Sequence, residues 1–213
     1  ALGFEVKQAP IEESGRMAIS KGMVKRAKRL AERNVGILKE LISEQTPLVG
    51  IEPSTTLSFR DEYPDLLGED ISSLTQNVFL FDEFIAKQAD LGVITPELFT
   101  DKKQHILLHG HCQQKALTGT EFMERMLCIP TNYSVEVIPS GCCGMAGSYG
   151  YEKRHYEMSK TIANSVLIPA IEKAAADTII AAPGTSCREQ IKHFSSRTAL
   201  HPIEILYNAL KEK

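Results

Sequence analysis

The sequence contains no apolar run approaching the length of a membrane span, and no secretory leader precedes its first strand-like segment. It has no basic surplus either. The formal net charge is −3, which argues against a nucleic-acid binder. The C-x-x-C-x-x-C spacing of a ferredoxin is absent, and cysteine is scarce, with five in 213 residues. An odd number of thiols without a leader fits a reducing compartment, where cysteines serve metals or catalysis more often than disulfides. What remains is an ordinary globular composition, 43% hydrophobic and 24% charged, long enough for one sizeable core or two small ones. The chain starts at Ala1 without a methionine and runs straight into "LGFEVKQAP", so it reads as a piece of something longer.

The pattern along the chain alternates strands and helices. Residues 23–44 carry Ala27, Leu30, Ala31, Leu38, Leu41 and Ile42 at spacings of three and four, which predicts a helix with one apolar stripe opposite a basic face. "LVGI" at 48–51 reads as a short buried strand, and 71–90 as a second long helix with Leu74, Val78, Phe81, Phe84 and Ile85 on one side. Strands are expected at 105–110, 133–139 and 177–183, and helices at 114–127 (interrupted near Gly119), 151–175 and 202–211. Such alternation implies parallel strands joined by crossovers: an α/β fold with parallel sheets flanked by helices.

Two stretches share an order of elements. "FEVKQAPIEESGRMAISKG" from Phe4 and "YSVEVIPSGCCGMAGSYGY" from Tyr133 each read as strand, proline, turn, glycine and long helix. "LVGIEPSTT" and "TIIAAPGTS" follow them in turn. The expectation is two pseudo-symmetric repeat halves, 1–100 and 101–213. Glu13 and Ser14 then stand where the second half has Cys142 and Cys143.

Four cysteines have one structural address. Cys112, the pair Cys142–Cys143, and Cys187 each follow a predicted strand, and a parallel sheet opens the carboxyl ends of its strands onto one edge. Four thiolates there suit an iron–sulfur cluster or zinc. Glycines 141, 144, 147 and 150 let the backbone approach an inorganic core and aim amides at its sulfurs. A helix starting soon after Cys143 would add its positive end. His109 and His111 flank the strand exit and read first as hydrogen-bonding edge residues. The sharper alternatives are that a metal ligand or proton donor sits there, or that both histidines touch a metal's ligands from outside, alongside Gly144. Cys128 reads as a small apolar filler.

"HGHCQQKAL", "PSGCCGMAGSYGYE" and "APGTSCREQI" resemble the cysteine-rich CCG domain of heterodisulfide reductase subunits and of the iron–sulfur subunits of glycolate and glycerol-3-phosphate dehydrogenases. The likeness is closest to the C-terminal region of FAD-linked oxidases fused to a ferredoxin-like domain. It covers nearly the whole chain, with "SGRMAISKG" and "GIEPSTTLSFRDEYPDLL" matching a degraded first repeat. The resemblance implies a site of Cys112, Cys142, Cys143 and Cys187, holding an iron–sulfur cluster of 4Fe-4S type or, as in some relatives, zinc. The other position of the family's final CxxC is Gly184, so one of five thiols is missing. Glu13, Ser14 and Thr55 replace the thiols of the first repeat, which should act as a metal-free scaffold.

The implied function is an electron-transfer module of a 2-hydroxyacid-type oxidoreductase, cytoplasmic or peripheral to the inner face of the membrane. FAD-binding and ferredoxin-like domains of the parent chain would be its partners, together with an unidentified electron acceptor; no nucleic acid and no transmembrane segment are expected. This stretch alone should not oxidise a hydroxyacid. Two other classes remain open: a zinc-stabilised docking module, and a metal-free dithiol enzyme working through Cys142 and Cys143.

Overall fold

The computed structural model describes residues 1–11, 13–68 and 70–211. The chain forms two compact units, Ala1–Phe81 and Asp82–Lys213. The fold is α/β, with two parallel sheets flanked by helices.

The first unit contains α1 (Arg16–Ser20), α2 (Val24–Leu38), β1 (Leu48–Gly50), α3 (Pro53–Arg60), α4 (Glu62–Leu67), α5 (Ser72–Thr75) and β2 (Val78–Leu80). β1 and β2 pair in parallel, Leu48 opposite Val78 and Gly50 opposite Leu80. The apolar stripe of α2 supplies Ala31 and Leu38 to a core with Phe59, Tyr63 and Leu74. α2 ends at Leu38, earlier than its apolar pattern predicts, and the chain then turns through Ser43 and Thr46, whose backbones exchange two hydrogen bonds at 3.1 Å.

Two expectations need correction here. The long helix over 71–90 is broken, because Val78, Phe79 and Leu80 form β2 between α5 and the next helix. The strand expected from Phe4 is not formed; the stretch joins neither sheet, and Val6 is 87% exposed. A strand is held by its neighbour's amides and carbonyls, and alternation alone cannot provide one. The two halves therefore do not match strand for strand. What does recur is an order: β1–α3 followed by β2 and a helix reappears in the second unit as the strand Ile179–Ala181, the helix Thr185–Phe194, the strand Ala199–Leu200 and the helix Pro202–Asn208.

The second unit opens with α6 (Phe81–Asp90), which begins at the unit boundary. It continues through β3 (Gln104–Leu108), α7 (Cys112–Leu117), α8 (Glu121–Leu127), β4 (Tyr133–Val137), α9 (Tyr156–Ser165), α10 (Leu167–Lys173), β5 (Ile179–Ala181), α11 (Thr185–Phe194), β6 (Ala199–Leu200) and α12 (Pro202–Asn208). The sheet order is β4–β3–β5–β6, all parallel. From β3 the chain crosses to β4 on one side, then returns past β3 to β5 and on to β6 on the other. The direction of winding thus reverses between β3 and β5, and at such a switch point the loops beyond the carboxyl ends separate to leave a crevice. No helix among the described residues is long and apolar enough to cross a membrane.

Candidate metal centre

The crevice is lined by the segments that carry the cysteines. β3 leads into "HGHC", so His109 and His111 follow the strand and Cys112 opens α7. β4 leads into "PSGCCG", and β5 into "APGTSC", which sets Cys187 in the first turn of α11. All five cysteines are free. Four of their sulfurs form a row of neighbours within hydrogen-bonding reach of one another: Cys112 beside Cys142, Cys142 beside Cys143, and Cys143 beside Cys187. The histidine at the end of β3 extends it, since ligand atoms of His109, Cys143 and Cys187 all lie within 4.8 Å of one another.

The chain of sulfurs has a sealed end and an open end. Cys143 and Cys187 are buried in the apolar core of the unit with Met145, Ile168 and Ile191; Cys142 is half-buried and Cys112 exposed. Cys128 does not join them. It caps α8 and is exposed, so its reading as buried filler is corrected.

Ionisation alternates along the row. Hydrogen bonds from Cys112 and then Cys143 hold Cys142 far below the ordinary thiol range. The one Cys143 proton is shared with Cys187, which it lowers against the penalty of burial, with a hydrogen bond from His109 acting in the same direction. Cys112 and Cys143, each bonded to Cys142, are correspondingly pushed up. Negative charge is thus favoured at Cys142 and Cys187 and disfavoured at Cys112 and Cys143. Ionising all four sulfurs in so small a volume requires a cation.

Backbone amides add to this. Gly144 N–H donates to Cys142 Sγ at 3.3 Å, and the Ala146 amide also bonds this sulfur, while the Met145 amide bonds Cys143. Three successive amides can aim at two sulfurs because the loop alternates through positive φ at Gly144 (97°), Ala146 (42°) and Gly147 (67°). This is an anion-binding nest, and Ala146 is the only non-glycine described residue with positive φ. A side chain at Gly144 would collide with the Ser159 carbonyl and lie 2.9 Å from Gln190 Nε2. The long helix expected soon after Cys143 does not start there. Residues 149–155 make two 3₁₀ turns, and α9 begins only at Tyr156. The nest amides take the place of that helix end.

Two cations fix the loops without entering the sulfur row. Lys115 on α7 bonds the carbonyls of Ser140 and Gly141, tying the cysteine pair's loop to the helix that carries Cys112. Arg188 on α11 donates to the carbonyls of Ala182 and Pro183 at 3.0 and 2.7 Å. Neither side chain was singled out by the sequence, and no spacing marks them. His111 caps α7, its Nδ1 accepting from Gln113 N–H at 3.3 Å. Its ring lies over Gly184, where an added Cβ would sit 2.5 Å from His111 Cδ2 and 3.2 Å from Cys187 Sγ.

The donor set fits a soft metal: four cysteine sulfurs, an imidazole, and amides ready to offset the charge of bound sulfur.

The place of Glu13 and Ser14 in the first unit is closed by a polar latch. Asn34 Nδ2 donates to Glu13 O and to Tyr63 Oη, both at 2.8 Å, and Tyr63 Oη–H donates to Ser14 O at 2.8 Å. Burial pushes the Tyr63 hydroxyl up to about 12, so it stays a neutral donor. Gly15 follows with φ 79°, as Gly144 follows the cysteine pair. Thr55 lies on α3.

With this geometry in view, comparison with known proteins gives a consistent set of relatives. The chain is 31% identical over 209 residues to D-2-hydroxyglutarate dehydrogenase of Pantoea ananatis, covering 96% of this chain and 20% of that protein. It is 28% identical over 211 residues to the enzyme of the same name from Escherichia coli K12, covering 99% and 20%. It is also 28% identical over 193 residues to one subunit of the anaerobic glycerol-3-phosphate dehydrogenase of Escherichia coli K12, covering 90% and 48%. The chain is similar to parts of oxidoreductases. It spans about a fifth of the length of the first two and about half of the third. No family model and no solved structure matches it.

Proposed function

We propose that the chain is the thiol-rich redox module, of CCG-domain type, of an FAD-linked, iron–sulfur-containing dehydrogenase acting on a 2-hydroxyacid. The observation that carries this reading is the convergence of Cys112, Cys142, Cys143 and Cys187 from three strand ends at the switch point of one sheet. The names of the relatives supply the substrate class and the redox context. FAD-binding and ferredoxin-like domains of the parent chain are the proposed partners, and oxidation of the substrate hydroxyl belongs to them.

An iron–sulfur cluster at this site would supply one-electron redox chemistry. The chain's own residues do the rest. The four cysteines would hold the group as thiolates, and the amides of Gly144, Met145 and Ala146 would stabilise negative charge on sulfur. The apolar packing around Cys143 and Cys187 keeps water from one side, while Cys112 leaves the other side open to a redox partner. The first repeat, residues 1–100, serves as metal-free scaffold, since its latch is built from a tyrosine hydroxyl, an amide and backbone carbonyls.

Anaerobic reconstitution with ferrous iron and sulfide tests the reading. A brown protein with a paramagnetic reduced state is expected, and replacing each of the four cysteines by serine should lower bound iron while Cys128→Ser leaves it unchanged. Iron loss at Cys128 equal to that at Cys142 would sink the ligand set. A second reading, a zinc-stabilised docking module, is favoured by one observation: the 4.8 Å span of His109, Cys143 and Cys187 is the size of a single ion's coordination shell. A colourless protein that takes up one zinc and no iron would decide for it.

A further inference from the structure

We infer that His109 is a metal ligand of this centre, bound through Nε2 as a donor beside the thiolates. The inference rests on the reading of the sulfur row as a metal site and adds a donor of different chemistry to it.

His109 is wholly buried, at 0% exposure. Its backbone is fixed, because its N–H donates to Ala181 O at 2.8 Å and prolongs the β3–β5 pairing into the crevice. Nδ1 is 2.7 Å from Ser140 Oγ. Nε2 meets no nitrogen or oxygen partner, and the ring's remaining neighbour is the Cys187 sulfur. A buried ring nitrogen served only by a soft sulfur is a standing cost, and native interiors seldom carry one without a role. The histidine lies with Cys143 and Cys187 in the group whose ligand atoms span 4.8 Å. With metal–sulfur and metal–nitrogen bonds of roughly 2.3 and 2.0 Å, tetrahedral ligands sit about 3.5 Å apart, so shifts of about an ångström bring the three onto one ion.

Ser140 supplies the remaining requirement. A ligating imidazole characteristically donates its other ring N–H to an outer partner, which fixes both tautomer and ring direction. With Nδ1–H donating to Ser140 Oγ, Nε2 presents a lone pair to the sulfurs. The serine is itself anchored: its N–H donates to Ile138 O at 2.7 Å, and its carbonyl is held by Lys115. His111 has a different arrangement, with Nδ1 engaged by the Gln113 amide and its ring lying across Gly184. A neutral imidazole adds a donor without adding negative charge, which gives a bound centre a higher reduction potential than a further thiolate would.

The test uses the protein loaded anaerobically with one equivalent of Co2+, a single-ion probe whose spectrum reports thiolate and nitrogen ligands without any assay of activity. Pulsed EPR should show strong coupling to one directly bound nitrogen, changing on substitution of 15N-labelled histidine. The coupling should vanish in His109→Gln and persist in His111→Gln. Ser140→Ala should keep it while weakening Co2+ affinity about 10–100-fold. Because His109→Gln alters a buried position, the isotope measurement on the unaltered protein stands independently of whether that variant folds. Cobalt held by thiolates with no nitrogen coupling, or coupling lost in His111→Gln, overturns the inference and leaves the four-cysteine centre intact. A protein that takes up neither cobalt nor iron overturns both.

Discussion

Gly144 gives the sharpest test of how the cysteine loop is built. Its φ of 97° lies where an L side chain is disfavoured, and alanine there costs about 1–2 kcal/mol from backbone strain alone. The new Cβ would also strike the Ser159 carbonyl and approach Gln190 Nε2 at 2.9 Å. Gln190 is buried and braces α11 against α9, donating to Ser159 Oγ at 2.9 Å and to Ser159 O at 3.3 Å. Displacing it forfeits buried hydrogen bonds, each worth roughly 1–3 kcal/mol when one partner is stranded. Together these place Gly144→Ala at about 3 kcal/mol of destabilisation. At about 2–4 °C per kcal/mol for a chain of this size, the melting temperature should fall by about 6–12 °C. The companion Gly141→Ala meets no atom within 4 Å and should lie within about 0.5 kcal/mol of the parent. Denaturant unfolding followed by circular dichroism measures both. If Gly144→Ala costs under about 1 kcal/mol, the backbone-strain minimum, or the two variants cost the same, the account of the loop is wrong.

Three other outcomes are expected. Burial, reinforced by neighbouring Glu83, raises the Asp82 carboxyl to about 7, so the folded state binds its proton more tightly than the unfolded chain does. Its contribution is complete below about pH 4 and is lost as pH rises to about 7. Asp82→Asn should therefore flatten the decline of stability over that window, by at most about 4 kcal/mol (roughly three pH units at about 1.36 kcal/mol each), and an unchanged slope in a pH series of unfolding curves would refute this. Tyr63→Phe removes the hydroxyl that Asn34 and the Ser14 carbonyl share, and should cost about 1–3 kcal/mol with metal uptake unaltered; altered uptake would count against the scaffold role of the first repeat. Ala146→Gly relieves the strain of a positive φ and should stabilise the protein by about 1 kcal/mol, read as a rise in unfolding midpoint.

The sequence made the α/β class legible because alternating element types leave few topologies. It also put the four cysteines after strands, which is where the structure has them. It failed where a local pattern has two solutions. Leu74, Val78, Phe81, Phe84 and Ile85 satisfy a helical period, yet a three-residue buried strand between two helices satisfies it equally. Phe4 and Val6 alternate like a strand but join neither sheet. The histidines show the limit for the site. "HGHC" offers two similar residues, and only the fold decides that one is sealed beside Cys187 while the other caps a helix. Lys115 and Arg188 were invisible because their targets are backbone carbonyls, which every residue has.

The uneven sealing of the sulfur row makes the chain its own reporter of breathing motions. An alkylating reagent meets Cys112 and Cys128 directly, but it reaches Cys143 and Cys187, at 3% and 1% exposure, only when the β4 and β5 loops part. In metal-free protein the labelling rate of the sealed pair, divided by the rate of the same thiols in the unfolded chain, then reports how often the crevice gapes. A bound metal must slow that rate in proportion to its affinity, so the same thiols count both the openings and the occupancy that suppresses them.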